Sequence, residues 1–106
     1  MDKREDKIIT EFLSRLKDRF SPVDVILFGS RATGDEWKRS DYDFIIVSRA
    51  FEGMHWLDRI AQVVNLWEPL VDIDVLPYTP EEFERMKEES SVVRHAVREG
   101  KRLAVA

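Results

Sequence analysis

Residues 23–48 read VDVILFGSRATGDEWKRSDYDFIIVS, and the pattern of this stretch indicates the fold class. It contains two runs rich in branched and aromatic residues, at 23–28 and 41–48, which predict two short strands. Gly29-Ser30 ends the first run, and the residues that follow are mostly polar, as is typical of a loop. The pattern therefore predicts a strand, a tight corner, a loop and a second strand.

The flanking sequence predicts helices and one or two further strands. An apolar stripe at helical spacing predicts a helix at 2–20, and Ser21-Pro22 ends it. Further along, the pattern predicts a helix at 53–67 and a strand at 71–76. A third helix begins at a Thr79 cap and runs to about residue 89. A fourth helix at 91–99 and a last short strand within 101–106 complete the prediction. We therefore expect an α/β (α+β) fold, in which a small mixed β-sheet of three to four strands is flanked by helices.

Composition narrows the classes of function. The 106 residues are expected to form a single domain, 1–106. No apolar run approaches the roughly 20 residues of a membrane helix, so we expect a cytoplasmic protein with no membrane partner. The absence of cysteine excludes disulfides and thiolate metal sites. A net charge of −4 argues against binding to a nucleic-acid backbone.

The Gly29-Ser30 corner can approach a ligand closely, because glycine has no side chain. Ser30 can cap a turn of helix through Arg31-Ala32-Thr33, whose free amide groups would suit a phosphate. A Gly-Ser pair after a strand is also commonly a plain turn, so the corner alone does not decide between the two.

Two aspartates begin the second strand. Side chains alternate along a strand, so Asp41 and Asp43 point to the same face. Either Asp41 caps a turn while Asp43 is solvated, or the two carboxylates hold a magnesium ion together with substrate phosphates.

Asp72 and Asp74 also share one strand face, in a segment that is otherwise apolar and is expected to lie inside the sheet. A helix separates this strand from the second, so those two strands should be parallel, whereas the first and second should be antiparallel. One rim of the sheet would then gather Ser30, Asp41, Asp43 and either Asp72 or Asp74, an arrangement suited to metal-assisted phosphoryl chemistry.

These residues resemble a known family. LFGSRA at 27–32, followed by SDYDFIIV at 40–47, resembles the core motif of the polymerase-β-like nucleotidyltransferase superfamily. Ten residues separate Gly-Ser from Asp-X-Asp, which is the spacing of the minimal nucleotidyltransferase (MNT) group. IDVL at 73–76 and TPEEF at 79–83 resemble the third-aspartate strand of that group and the helix after it.

The resemblance implies a role for each matching residue. Gly29 and Ser30 would contact nucleotide phosphates, and Arg31 could reach one of them. Asp41 and Asp43 would bind Mg²⁺, and the third carboxylate would be a ligand and a base. The distance to Thr79-Pro80 favours Asp74 for that third role, although Asp72 remains an alternative.

The resemblance also implies a reaction and a partner. Members transfer a nucleoside monophosphate, most often AMP from ATP, to a hydroxyl on an acceptor. Small members pair with a helical protein of the HEPN group in toxin–antitoxin systems, in which the MNT antitoxin can adenylylate the toxin. The alternative is a binding module that neutralises such a toxin by contact alone. A homo-oligomer and another nucleoside triphosphate also remain open.

Other residues carry weaker signals. His55 and His95 fall in predicted helices, where a surface or partly packed role is expected. Trp56 and Trp67 lie on an apolar helix stripe and are expected in the core. Trp37 lies in the loop before Asp41, where it could stack on a base or simply cover the loop.

Overall fold

A computed structural model describes residues 3–29, 42–69 and 71–103, with side chains from Lys7 onward. In these ranges the strands are β1 (Val23–Phe28), β2 (Tyr42–Ser48), β3 (Ile73–Tyr78) and β4 (Lys101–Leu103). The helices are α1 (Lys3–Phe20), α2 (Trp56–Val64), α3 (Pro80–Glu89) and α4 (Ser91–Glu99), and a 3₁₀ turn follows β2 at Arg49–Phe51. The predicted fold class, a small mixed sheet flanked by helices, is confirmed.

The sheet has the order β3-β2-β1-β4. β2 is antiparallel to β1 and parallel to β3, as expected from the helix that separates β2 from β3 in sequence. β4 returns antiparallel to β1 on its other side. β3 and β4 are therefore the edge strands, and the strand predicted within 101–106 is observed for 101–103, beyond which the chain lies outside the described residues.

The first face of the sheet packs against α1 and α2. The apolar stripe of α1 is almost fully buried there, with Phe12 and Leu16 at 0% exposure. Phe12 packs edge-on against Trp67, with ring centroids 5.0 Å apart, so the expectation that Trp67 lies in the core is supported. α1 therefore forms because its stripe covers the sheet, and the charged residues on its other side face solvent.

The second face packs against α3 and α4. Ile26, Ile45 and Tyr78 contribute from the strands, and Val93 and Ala96 contribute from α4. α3 begins with the predicted capping box, in which the Thr79 side chain accepts from the Glu82 amide and the Glu82 carboxylate accepts from the Thr79 amide. No helix in the described ranges has the length and apolar character needed to cross a lipid bilayer.

The second helix is shorter than the sequence predicts. Instead of 53–67, α2 spans Trp56–Val64, because the His55 Nδ1 accepts a hydrogen bond from the Leu57 amide at 3.2 Å and caps the helix. His55 is therefore a cap rather than a helical residue. The apolar stripe on α2 is partly solvent-exposed, since Val64 is 40% exposed. Trp56, which the sequence predicts to lie in the core, is 36% exposed. Trp56 still contacts Tyr78, with ring centroids 5.5 Å apart.

The third strand is displaced by two residues from the prediction of 71–76 to Ile73–Tyr78. It includes Pro77, which has no backbone amide hydrogen to donate. This is tolerated because β3 is an edge strand, so one of its sides has no neighbouring strand in the described ranges to accept such a bond. Because β3 is an edge strand, a second prediction is wrong: the sequence predicts that Asp72 and Asp74 lie inside the sheet, but both are exposed.

Sequence reasoning also missed a buried ion pair. Arg59 of α2 is only 6% exposed. Its guanidinium donates to both carboxylate oxygens of Glu82, to the Pro77 carbonyl and to the Met54 carbonyl. This network ties α2 to the end of β3 and the start of α3.

Candidate functional site

Three strand ends meet at one rim of the sheet. β1 ends at Phe28 opposite Asp43 near the start of β2, and Asp43 in turn lies opposite Asp74 near the start of β3. This juxtaposition follows from the antiparallel and parallel pairings, which place the carboxyl end of β1 beside the amino ends of β2 and β3.

Asp43 and Asp74 project from the second face of the sheet. Their neighbours Tyr42, Phe44 and Val75 belong to the core of the first face, and side chains alternate along a strand. Residues that lie opposite each other on adjacent strands, about 4.8 Å apart, share a face. Asp74 is exposed and Asp43 is half-buried. The rim therefore presents two neighbouring carboxylates that solvent can reach.

Asp72 lies two residues before Asp74, so it shares that face but stands one step further out. Its carbonyl accepts a hydrogen bond from the Tyr42 amide at 3.1 Å, which continues the pairing of β3 with β2 just beyond the strand. In register, Asp74 rather than Asp72 is the residue opposite Asp43.

Gly29 forms the corner directly after β1. Its φ of +79° lies in the left-handed region that favours glycine. A Cβ at this position would overlap the carboxylate of Asp43. The backbone corner and the Asp43 carboxylate are thus in direct contact, and glycine is needed both for the backbone conformation and for the space.

Three predicted site residues, Ser30, Arg31 and Asp41, lie outside the described residues, and so does Trp37. Of the other predicted site residues, Gly29, Asp43 and Asp74 are brought together at the rim. The described ranges contain no group of three or more His, Cys, Asp or Glu side chains placed to hold a metal ion.

Carboxylate oxygens are the donors that hard divalent cations such as Mg²⁺ prefer. Asp43 and Asp74 fit such an ion, because two carboxylates on one face of adjacent strands repel each other and a cation between them removes the repulsion.

Sequence analysis did not single out Phe28 at this rim. Phe28 lies opposite Asp43, is half-buried and packs against the cluster that contains Val93 and Ala96 of α4. It connects the rim to the core of the second face. The only local signal for this role was its place before Gly29, and the alternation along β1 shows the face to which it points.

Comparison with known proteins gives a family and a similar structure. Residues 8–105 match the family described as polymerase beta, nucleotidyltransferase. The chain is similar to the crystal structure of a candidate nucleotidyltransferase from Sulfolobus solfataricus, with a TM-score of 0.61 and 28% sequence identity, and the match covers 77% of this chain and 73% of that one. No curated protein matches the chain.

Proposed function

The chain belongs to the polymerase beta nucleotidyltransferase family, and from this membership we propose that it transfers AMP from ATP to a hydroxyl group of a partner protein. Family and fold establish nucleotidyl transfer as the general reaction. Members of the family generally bind nucleoside triphosphates and use divalent metal ions. We propose Mg²⁺ as the metal ion of this chain.

The observation that carries the proposal is the pairing of Asp43 with Asp74 beside the Gly29 corner. Two carboxylates that can hold a cation and a backbone corner that a ligand can approach closely lie at one rim, and together they suit a metal-bound triphosphate. Asp74 is proposed as the third carboxylate, in preference to Asp72, because it is the residue opposite Asp43.

We assign the remaining roles from the motif. Gly29, Ser30 and Arg31 hold the phosphates of the nucleotide, and Asp41, Asp43 and Asp74 hold the metal. A bound Mg²⁺ would neutralise charge on the phosphates and on the departing pyrophosphate.

The reaction is an in-line displacement at the α-phosphorus. Asp74, which is exposed, accepts the proton of the acceptor hydroxyl. The hydroxyl oxygen forms a bond to the α-phosphorus, the bond from that phosphorus to the bridging oxygen breaks, and pyrophosphate leaves with the electron pair. The products are an adenylylated acceptor and pyrophosphate.

The proposal is tested by incubating the protein with Mg²⁺, a candidate partner and ATP that is radioactive at the α-phosphate. A parallel reaction uses ATP labelled at the γ-phosphate. Adenylylation predicts label on the partner only from the α-labelled nucleotide, whereas phosphorylation would give label only from the γ-labelled one. Competition with unlabelled GTP, CTP and UTP measures the nucleotide preference.

A matched pair of variants tests whether transfer of the label depends on the rim. Asp43→Asn should abolish transfer, while Asp18→Asn, an exposed aspartate on α1, should leave it unchanged. Equal labelling by wild type and Asp43→Asn would overturn the assignment of the site. The partner to test first is a helical HEPN-group protein, the toxin with which MNT-type proteins are paired.

A second candidate function is neutralisation of that toxin by contact alone. It is favoured by apolar side chains that face solvent on α2, where Leu57 is 65% exposed and Val64 40%. With Ala61, which is also exposed, they stand at i, i+4 and i+7 and so form one stripe on the helix. Such a stripe can dock a partner without any chemistry.

Growth of cells that express the toxin separates the two functions. Under contact alone, Asp43→Asn still protects the cells and Leu57→Lys does not. Under adenylylation, Asp43→Asn fails to protect. Since Leu57 is largely exposed, Leu57→Lys should fold as wild type does, and circular dichroism would verify this.

A further inference from the structure

A groove of about 490 Å³ opens on the second face of the sheet, at the end opposite the candidate site. Asp24 and Ile26 of β1 and Val47 of β2 line it. The candidate site lies at Phe28 and Asp43, so about 13 Å of strand separates Asp24 from that rim. The groove is therefore a separate feature, and the nucleotide reaction proposed above does not use it.

Apolar side chains line much of the groove. Ile26 and Val47 contribute from the sheet, Phe83 contributes from α3, and Val97 contributes from α4. Val97 is 43% exposed, which means that water reaches this wall of the groove. A volume of this size is within the range of small-molecule sites, about 300–1,000 Å³.

Charged side chains around the groove leave one positive charge unbalanced. Arg102 pairs with Asp24 at 3.3 Å, and Lys87 pairs with Glu84 at 2.8 Å. Arg49 lies at the end of β2, lines the same groove and has no ion-pair partner among the described residues. The groove thus carries a net positive charge in a chain whose net charge is −4.

We propose that this groove binds a small amphipathic anion, in which an aromatic or aliphatic body carries one carboxylate, sulfonate or phosphate. The body would lie against Ile26, Val47 and Phe83, where it removes apolar surface from water. The anionic group would pair with Arg49, whose planar guanidinium binds such oxygens in a bidentate manner.

Fluorescence of two dyes with one shared ring system tests the proposal. Anilinonaphthalene sulfonate is anionic, and phenylnaphthylamine is its neutral counterpart. The sulfonate should bind wild type about tenfold more tightly than the neutral dye, since a hydrogen bond to a charged group contributes about 1.5 kcal/mol. Arg49→Glu should remove this difference, whereas Arg98→Glu, an exposed arginine on α4, should preserve it.

A second pair of variants locates the bound dye. Val97→Trp should block the groove and abolish binding, and Val92→Trp on the same helix, at a position that is 54% exposed and outside the groove, should not. Circular dichroism must show each variant folded. The proposal is overturned if wild type binds neither dye, if Arg49→Glu keeps its preference for the anion, or if Val97→Trp binds as well as Val92→Trp. Since the readout is fluorescence, failure here leaves the nucleotidyl-transfer assay unaffected.

Discussion

Asp43 of β2 lies directly opposite Asp74 of β3, and the two side chains share one face of the sheet. Like charges in this position oppose folding, because the sheet holds them close together. A cation bound between the two carboxylates would remove this repulsion. Stability without metal and activity with metal should therefore respond in opposite directions to substitution of Asp74.

Asp74→Asn should lower nucleotidyl transfer by about 100-fold or more, a loss typical of an acid–base group. The same variant, without metal, should unfold at an equal or higher urea concentration, since one of the repelling charges is gone. Urea unfolding and initial rates with α-labelled ATP measure the two effects.

Asp72→Asn is the matched control, because Asp72 shares the face but is not the residue opposite Asp43. It should retain transfer within a few-fold of wild type. If instead Asp72→Asn is inactive and Asp74→Asn is active, the third carboxylate is Asp72 and the register argument fails.

Gly29→Ala should destabilise the protein and abolish nucleotide binding. Its φ of +79° costs an alanine about 1–2 kcal/mol, and the added Cβ would displace the Asp43 carboxylate. Gly53→Ala separates the two causes: φ there is +78°, but within the described ranges no atom beyond its chain neighbours lies within 4 Å of the added Cβ. Gly53→Ala should show the conformational cost alone in urea unfolding and bind nucleotide normally. Equal losses of stability in both variants would argue against the contact between Gly29 and Asp43.

Local chemical signals made much of the fold predictable. The bounds of β1 follow from a run of branched residues between Pro22 and Gly29, and the start of α3 follows from its threonine cap, proline and glutamate. In both cases the deciding residues are adjacent in sequence. The ends of β3 depend instead on its pairing with β2, so the prediction of 71–76 was two residues too early.

Contacts between residues far apart in sequence also limited how much of the candidate site could be predicted. Asp72 and Asp74 share a strand face, and only the register of β3 against β2 places Asp74 opposite Asp43. Arg59 could not be recognised as buried, because Glu82, which pairs with it, lies 23 residues further along the chain. The roles predicted for the site residues all stay predictions, and Ser30, Arg31 and Asp41 also lie outside the described ranges.

Gly100→Ala should destabilise the protein for steric reasons alone. Gly100 follows α4 with a φ of −79°, which any residue adopts, but an added Cβ would meet the Ala96 carbonyl and lie 2.8 Å from the Leu27 carbonyl oxygen. Overpacking of this kind costs about 1–3 kcal/mol. Urea unfolding measures the loss, and Val92→Ala, at an exposed position on α4, should change stability by much less. A Gly100→Ala variant as stable as wild type would contradict this close packing.

Glu82→Gln should lower stability at neutral pH, and the effect should fade in acid. Hydrogen bonds from Arg59 hold the pKa of Glu82 below its ordinary value, even though partial burial opposes them. A lowered carboxyl pKa stabilises the fold above the ordinary value, about 4.3, and this contribution disappears as pH falls through the lowered value.

At about pH 7 the variant should lose about 1–3 kcal/mol of unfolding free energy, because Arg59 loses a charged partner while it stays buried. At a pH below the lowered pKa, wild type and variant should converge. Glu84→Gln is the control: its carboxylate is 68% exposed, so its ion pair with Lys87 should contribute at most about 1 kcal/mol. Urea unfolding across this pH range measures all three proteins, and a difference between wild type and Glu82→Gln that does not depend on pH would show that the Glu82 charge contributes nothing.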